Sequence, residues 1–125
     1  MNIEIKITPG EWLDRFTILQ VKLANIKDEE KVQALARRIQ NEWPSLEEWH
    51  FELVADIFKA MPQMLAVHTQ LWNLENQVRV VNADHPDLLM WYPEITQLND
   101  KRAKLKARLD VGCSGADVKE HDDGN

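Results

Sequence analysis

The chain has a single cysteine, Cys113. That excludes an intramolecular disulfide and leaves a reducing, cytoplasmic setting as the simplest reading. No apolar run approaches the roughly 20 residues needed to span a bilayer. The opening Met1-Asn2-Ile3-Glu4-Ile5-Lys6 alternates polar and apolar residues without the apolar stretch of a signal peptide. The net charge is −6, but from Gly112 onward Asp117, Glu120, Asp122 and Asp123 face Lys119 alone. The rest of the chain is only mildly acidic, so no general affinity for nucleic acid or for an anionic membrane is expected. No internal repeat is present, and no Ser-His-acid or Cys-His set stands out. Glu47 and His50 supply one Glu-x-x-His, but the second copy and the facing glutamates of a di-metal bundle are missing. No catalytic residue, metal or cofactor is therefore assigned.

What is present fits one domain. A chain of 125 residues with 44% hydrophobic and 29% charged side chains can bury a single core and stay hydrated outside it. Residues 1–110 read as one helical domain and 111–125 as a disordered acidic tail. Ile3, Ile5 and Ile7 alternate with Asn2, Glu4, Lys6 and Thr8, the pattern of a half-buried strand over 2–8. With no second alternating segment, pairing with another copy of itself would make this strand a dimerisation element.

The remainder has helical periodicity. Thr8 as N-cap, Pro9 at the first helical position and Glu11 completing a capping box open helix 1. It runs to about Ile26, with Trp12, Phe16, Leu19, Leu23 and Ile26 on one face. Asp28 caps a second helix to about Glu42, carried by Val32, Leu35, Ala36 and Ile39. Ser45 with Glu48 opens a long third helix through Val78 that kinks or divides at Pro62. After a loop over Asn82 to Pro86 comes a short turn over Asp87 to Trp91. The final helix starts at Pro93 and runs to about Asp110, with Gly112 as its stop. The expected fold is an all-α antiparallel bundle of four to five helices. The five tryptophans and four methionines mainly build its core, and an exposed subset would form a subunit interface.

One residue breaks the pattern of the last helix. Its stripe of Ile95, Leu98, Arg102, Leu105 and Leu109 places a guanidinium in an apolar seam, where it requires a carboxylate, a ligand or water. Asn99, Arg102 and Lys106 project from one side of that helix. Trp72, Glu75 and Arg79 have the same spacing on the third. On the first, Glu11, Asp14 or Arg15, and Lys22 share a side. Converging edges of this kind would suit an anionic ligand with a planar ring: cations neutralise phosphate, Asn99 reads ring edges or hydroxyls, and Trp72 stacks. Gly10 would leave backbone amides bare at the positive end of helix 1, where a phosphate could approach, or would simply relieve crowding there. A structural account is also open. Glu75 and Arg79 form a favourable i,i+4 pair on any exposed helix, and Glu75 can neutralise Arg102 across the bundle. His68 reads as a satisfied core histidine, and the run Lys101, Arg102, Lys104, Lys106, Arg108 as a solvated face.

Three segments carry a resemblance. They are Ile7-Thr8-Pro9-Gly10-Glu11 with Asp14-Arg15 and Thr17-Ile18-Leu19 before Lys22; Leu71-Trp72-x-Leu74-Glu75 with Arg79; and Asn99-Asp100-x-Arg102-Ala103-x-Leu105-Lys106. Together they resemble a group of small helical bacterial and phage proteins catalogued as domains of unknown function. The match spans about residues 5–110, and the stretch from Asp28 to Pro62 contributes little. Where the group has an acid after the glutamate and an amide four residues before the tryptophan, this chain has Asn76 and His68. Members look associated with lipopolysaccharide or glycosyltransferase genes, which implies a nucleotide or sugar-nucleotide ligand. The resemblance also implies that the three polar edges form one pattern.

The leading expectation is a cytoplasmic homodimeric protein that binds an anionic nucleotide, cyclic nucleotide or nucleotide sugar. Its site is expected to comprise Arg15, Lys22, Trp72, Glu75, Arg79, Asn99, Arg102 and Lys106. Arg102 and Lys106 would contact phosphate, and Arg102→Met would abolish binding while sparing the fold. For a phage-borne chain, sequestering a signalling nucleotide is one form of such binding. The alternatives are an oligomeric adaptor for a protein partner and a nucleotide-acting enzyme with Glu75 as base.

Overall fold

Helix α1, Pro9–Asn25, is the centre of the molecule. In the computed structural model, which describes residues 7–41 and 49–112, it contacts all three other helices: α2 (Glu29–Asn41), α3 (Phe51–Arg79) and α4 (Leu88–Gly112). Thr8 caps α1 from extended backbone, its hydroxyl accepting from the Glu11 amide at 3.2 Å, and Pro9 follows in the first turn. The Glu11 carboxylate turns to Lys106 and Arg15. Of the expected strand, residues 2–6 lie outside the described residues. Ile7 packs against the core without regular structure, and no strand occurs among the described residues.

The expected apolar face of α1 is only half of what it buries. Trp12 and Leu19 are buried as expected, and Phe16 stacks on Trp12 with centroids 4.9 Å apart. A second stripe of Pro9, Gly10, Leu13, Asp14, Thr17 and Val21 is buried as well. A helix flanked on both sides loses solvent from two faces, so small and polar residues join its interior positions. Thr17 meets this by donating its hydroxyl to the Leu13 and Asp14 carbonyls at 2.8 and 3.1 Å.

α2 starts as expected, with the Asp28 carboxylate accepting from the Glu30 amide at 3.0 Å. None of its residues is buried: Val32, Leu35 and Ile39 are half covered and Ala36 is exposed. α3 begins at Phe51, capped by His50, whose Nδ1 accepts from the Leu53 amide at 3.3 Å. The expected start at Ser45 with Glu48 lies outside the described residues. Pro62 neither ends nor divides α3. The carbonyl it cannot serve belongs to Phe58, which is 61% exposed, so water can replace the missing amide. The same physics corrects α4, which begins at Leu88 and carries Pro93 inside one continuous helix. There the carbonyl left over is that of Leu89, 86% exposed.

The core joins Trp12 and Leu13 of α1, Leu53, Ile57, Ala60, Met64, Val67 and Leu71 of α3, and Leu98, Leu105 and Leu109 of α4. Gly10 faces Lys106 and Asp110 while Asp14 faces Arg102, so α1 and α4 run antiparallel. α3 and α4 are joined by the turns over 80–87 and also oppose one another, which makes α1 parallel to α3. No described helix is long and apolar enough to cross a membrane.

Candidate functional site

Each of the three core helices contributes a titratable residue from its buried or half-buried side, and these three meet. Asp14 of α1, 2% exposed, accepts from Arg102 of α4 twice: Nε to Oδ1 at 2.7 Å and Nη2 to Oδ2 at 2.6 Å. His68 of α3, also buried, places Nε2 2.7 Å from Oδ1 of the same carboxylate. Burial would push the Asp14 carboxyl up, but the hydrogen bonds from His68 and Arg102, reinforced by the Arg102 charge, hold it well below the usual carboxylate range. Asp14 is thus an anion, and His68 Nε2 carries the proton between them. The hydrogen bonds that Arg102 donates to Asp14 in turn raise the affinity of the guanidinium for its proton.

This answers the question posed by Arg102. Its partner is Asp14, whereas Glu75 acts on it only through space. His68 is the satisfied core histidine expected. Lys106 sits beside the same group, 2.8 Å from Glu11 and 3.7 Å from Asp14. The bond to Lys106, against some opposing burial, lowers the Glu11 pKa. Gly10 allows the close approach of α4: its amide donates to Asp110 Oδ1 at 2.9 Å. That amide is capped from within the protein, so the expectation of a bare N-terminus for phosphate is corrected.

The pairing makes stability depend on acid. Because the folded Asp14 carboxyl titrates below the unfolded value of about 3.9, its contribution is complete above that pH and is lost as pH falls through the folded value. The urea midpoint should drop steeply below about pH 4, and Asp14→Asn should flatten this part of the profile. An unchanged acid limb in that variant would contradict the assignment.

Above the buried group lies a cleft of about 280 Å³, lined by Ile18, Val21 and Lys22 of α1, His68, Leu71, Trp72, Glu75, Asn76 and Arg79 of α3, and Arg102. Five of the eight expected site residues are therefore together: Lys22, Trp72, Glu75, Arg79 and Arg102. The other three lie elsewhere. Arg15 is exposed and pairs with Glu11 at 3.2 Å, Lys106 is held by Glu11, and Asn99 is exposed away from the cleft. Each shares a helix with cleft residues, but its place around or along that helix keeps it out of the cleft. Nor do Glu75 and Arg79 form the expected i,i+4 pair. Among the described residues the Lys22 ammonium and the Arg79 guanidinium have no hydrogen bond or ion pair.

Asp14, Ile18, Val21, Leu71 and Asn76 were not among the expected site residues. The available signal was Asp14 itself, an acid in phase with Gly10, Thr17 and Val21. That row reads as polar until its burial is known. The basic run divides: Lys101, Lys104 and Arg108 border a groove of about 400 Å³ floored by Val67, Leu98 and Leu105, while Arg102 and Lys106 turn toward α1. This groove is the larger of the two, but its lining has no acid and no aromatic ring, so of these two only the first cleft combines cations with an acid and an indole.

No protein-family model matches the sequence, and no curated protein or solved structure matches it.

Proposed function

We propose that the protein binds an anionic nucleotide-like ligand in the cleft between α1 and α3, in a reducing, cytoplasmic setting. The observation that carries this reading is the convergence of two cations that are unpaired among the described residues, Lys22 and Arg79, on a cleft walled by Trp72 and edged by Glu75 and Asn76. Cations that lack an ion-pair partner gain most from a phosphate, and an indole on the same cleft offers a stacking face. The volume lies near the lower end for small-molecule sites, which suits a mononucleotide; a nucleotide sugar would extend past the rim. The resemblance to the bacterial and phage group supports the same ligand class.

Thermal shift against nucleotides, cyclic nucleotides, nucleotide sugars and sugar phosphates tests it. One class should raise Tm by several degrees. Lys22→Ala and Arg79→Ala should keep the ligand-free Tm and lose the shift. No response across the panel would defeat the proposal.

A second reading, an oligomeric adaptor, is favoured by Leu89, Met90 and Tyr92, three large apolar side chains exposed together in the first turns of α4, since grouped exposed apolar side chains mark interaction surfaces. Under it the panel is silent and the protein sediments as a homodimer or larger; a monomer with no ligand response would defeat this reading as well.

A further inference from the structure

The two ends of the cleft differ in charge, although both present cations. At one end the Arg102 charge is already balanced by Asp14, which engages the guanidinium side-on through Nε and Nη2. That pair offers a ligand direction rather than net charge. Arg102 has five N–H donors, and the side-on bond uses two of them. The Nη1–Nη2 edge remains, and the carboxylate fixes the plane in which it points. At the other end Lys22 and Arg79 are unpaired among the described residues.

Because α1 and α3 run parallel, the order along the cleft can be read from residue numbers. Starting from the level of Asp14, His68 and Arg102, Trp72 lies about 6 Å further on, Glu75 about 10 Å, Lys22 about 12 Å and Arg79 about 16 Å, at 1.5 Å per residue. The sequence of chemistries is a planar fork of donors, a flat ring, a carboxylate with an amide beside it, and free positive charge.

We propose that the cleft takes a 6-oxopurine nucleotide, with its phosphate at Lys22 and Arg79 and the O6 and N7 edge of its base on the Arg102 fork. The inference rests on the reading of this cleft as a nucleotide site. A neutralised fork is suited to a neutral pair of acceptors, and guanine and hypoxanthine present O6 and N7 side by side, the pairing arginine makes with guanine in DNA. Adenine presents N7 beside an amino group, so one donor of the fork would meet another donor. Trp72 then covers the ring and Glu75 accepts from the ribose hydroxyls. Asp14 and His68 are positioning residues: they set the plane of the fork and do not touch the ligand.

Titration calorimetry of the full chain with GMP, IMP, AMP and 7-deaza-GMP tests the assignment. GMP and IMP should bind alike, and AMP and 7-deaza-GMP about tenfold or more weakly, the loss expected when a bidentate base contact is spoiled. Arg79→Ala should weaken all four by a similar factor. Arg102→Lys, which keeps the charge but removes the fork, should bring GMP down to the level of AMP. The wild-type comparison with 7-deaza-GMP needs no variant, so a folding defect in Arg102→Lys leaves the test intact. AMP binding as tightly as GMP would overturn this inference while leaving a nucleotide site standing. No binding of any of the four, together with a silent thermal-shift panel, would overturn both.

Discussion

Arg102→Met should cost about 2 to 4 kcal/mol of folding stability, read as a fall in the denaturant midpoint without a change in slope. The substitution leaves Asp14, 2% exposed, facing an apolar side chain where two short hydrogen bonds stood. Breaking a fully buried pair by removing one partner costs about 3 to 5 kcal/mol. The figure here is lower because Arg102 retains a third of its side-chain exposure, where water screens the pair, and because His68 still reaches the same carboxylate. The double variant Asp14→Asn with Arg102→Met should recover part of the loss, since no ionised carboxylate then remains unpaired. A single variant as stable as the wild type would show that the pair contributes nothing. From the sequence, the ligand-binding reading expected this substitution to spare the fold, whereas the adaptor reading expected it to lower Tm. For that reason Lys22 and Arg79, and not Arg102, are the positions that separate binding from stability.

The second large effect is expected at the crossing of α1 over α4. A Cβ placed on Gly10 would lie 2.6 Å from the Lys106 carbonyl oxygen and 2.9 Å from the Lys106 Cα. Those are backbone atoms in the middle of a helix, which cannot swing aside as a side chain would. Asp110 Oδ1, the acceptor of the Gly10 amide, is equally close at 2.9 Å. Alanine ordinarily improves a helix by up to about 1 kcal/mol over glycine. Here the helices must separate to admit it, and overpacking of this kind costs about 1 to 3 kcal/mol. Gly10→Ala should therefore lower the midpoint of chemical unfolding. It should also weaken the Arg102–Asp14 contact one turn along, visible as a shallower acid limb in the pH profile. A variant as stable as the wild type would mean that α1 and α4 do not approach this closely.

The two predictions describe one construction. Gly10 brings α1 and α4 together, and the closeness lets Asp14 meet Arg102 without an intervening water. Asp14 then fixes the guanidinium at one end of the cleft, while Lys22 and Arg79, unpaired among the described residues, line the same cleft from α1 and α3.

Much of the architecture was legible in the order of residues. Helical periodicity, Thr8-Pro9 at one helix start and Asp28 at another are local properties, set by side chains reacting to their own backbone within a turn or two. The stripe Leu98, Leu105, Leu109 is buried as read, and His68 is a core histidine with a partner. The local rules for proline failed where the chain is open to solvent: Pro62 and Pro93 sit inside helices, and Phe58 and Leu89, whose carbonyls they leave without an amide, are exposed residues.

Which polar residues would meet was beyond the sequence. Spacing showed that Glu11, Asp14 or Arg15, and Lys22 shared one side of α1 and that Arg102 needed a partner, but the choice among Asp14, Glu11 and Glu75 depends on how three helices are rotated against one another. A rotation of one residue, about 100°, exchanges a buried acid for an exposed one. Local interactions within each helix are indifferent to that rotation. Only the packing of α1 between its neighbours, with Gly10 allowing the closest approach, brought Asp14 inward, turned Arg15, Asn99 and Lys106 away, and left Lys22, Trp72, Glu75 and Arg79 around a single cleft.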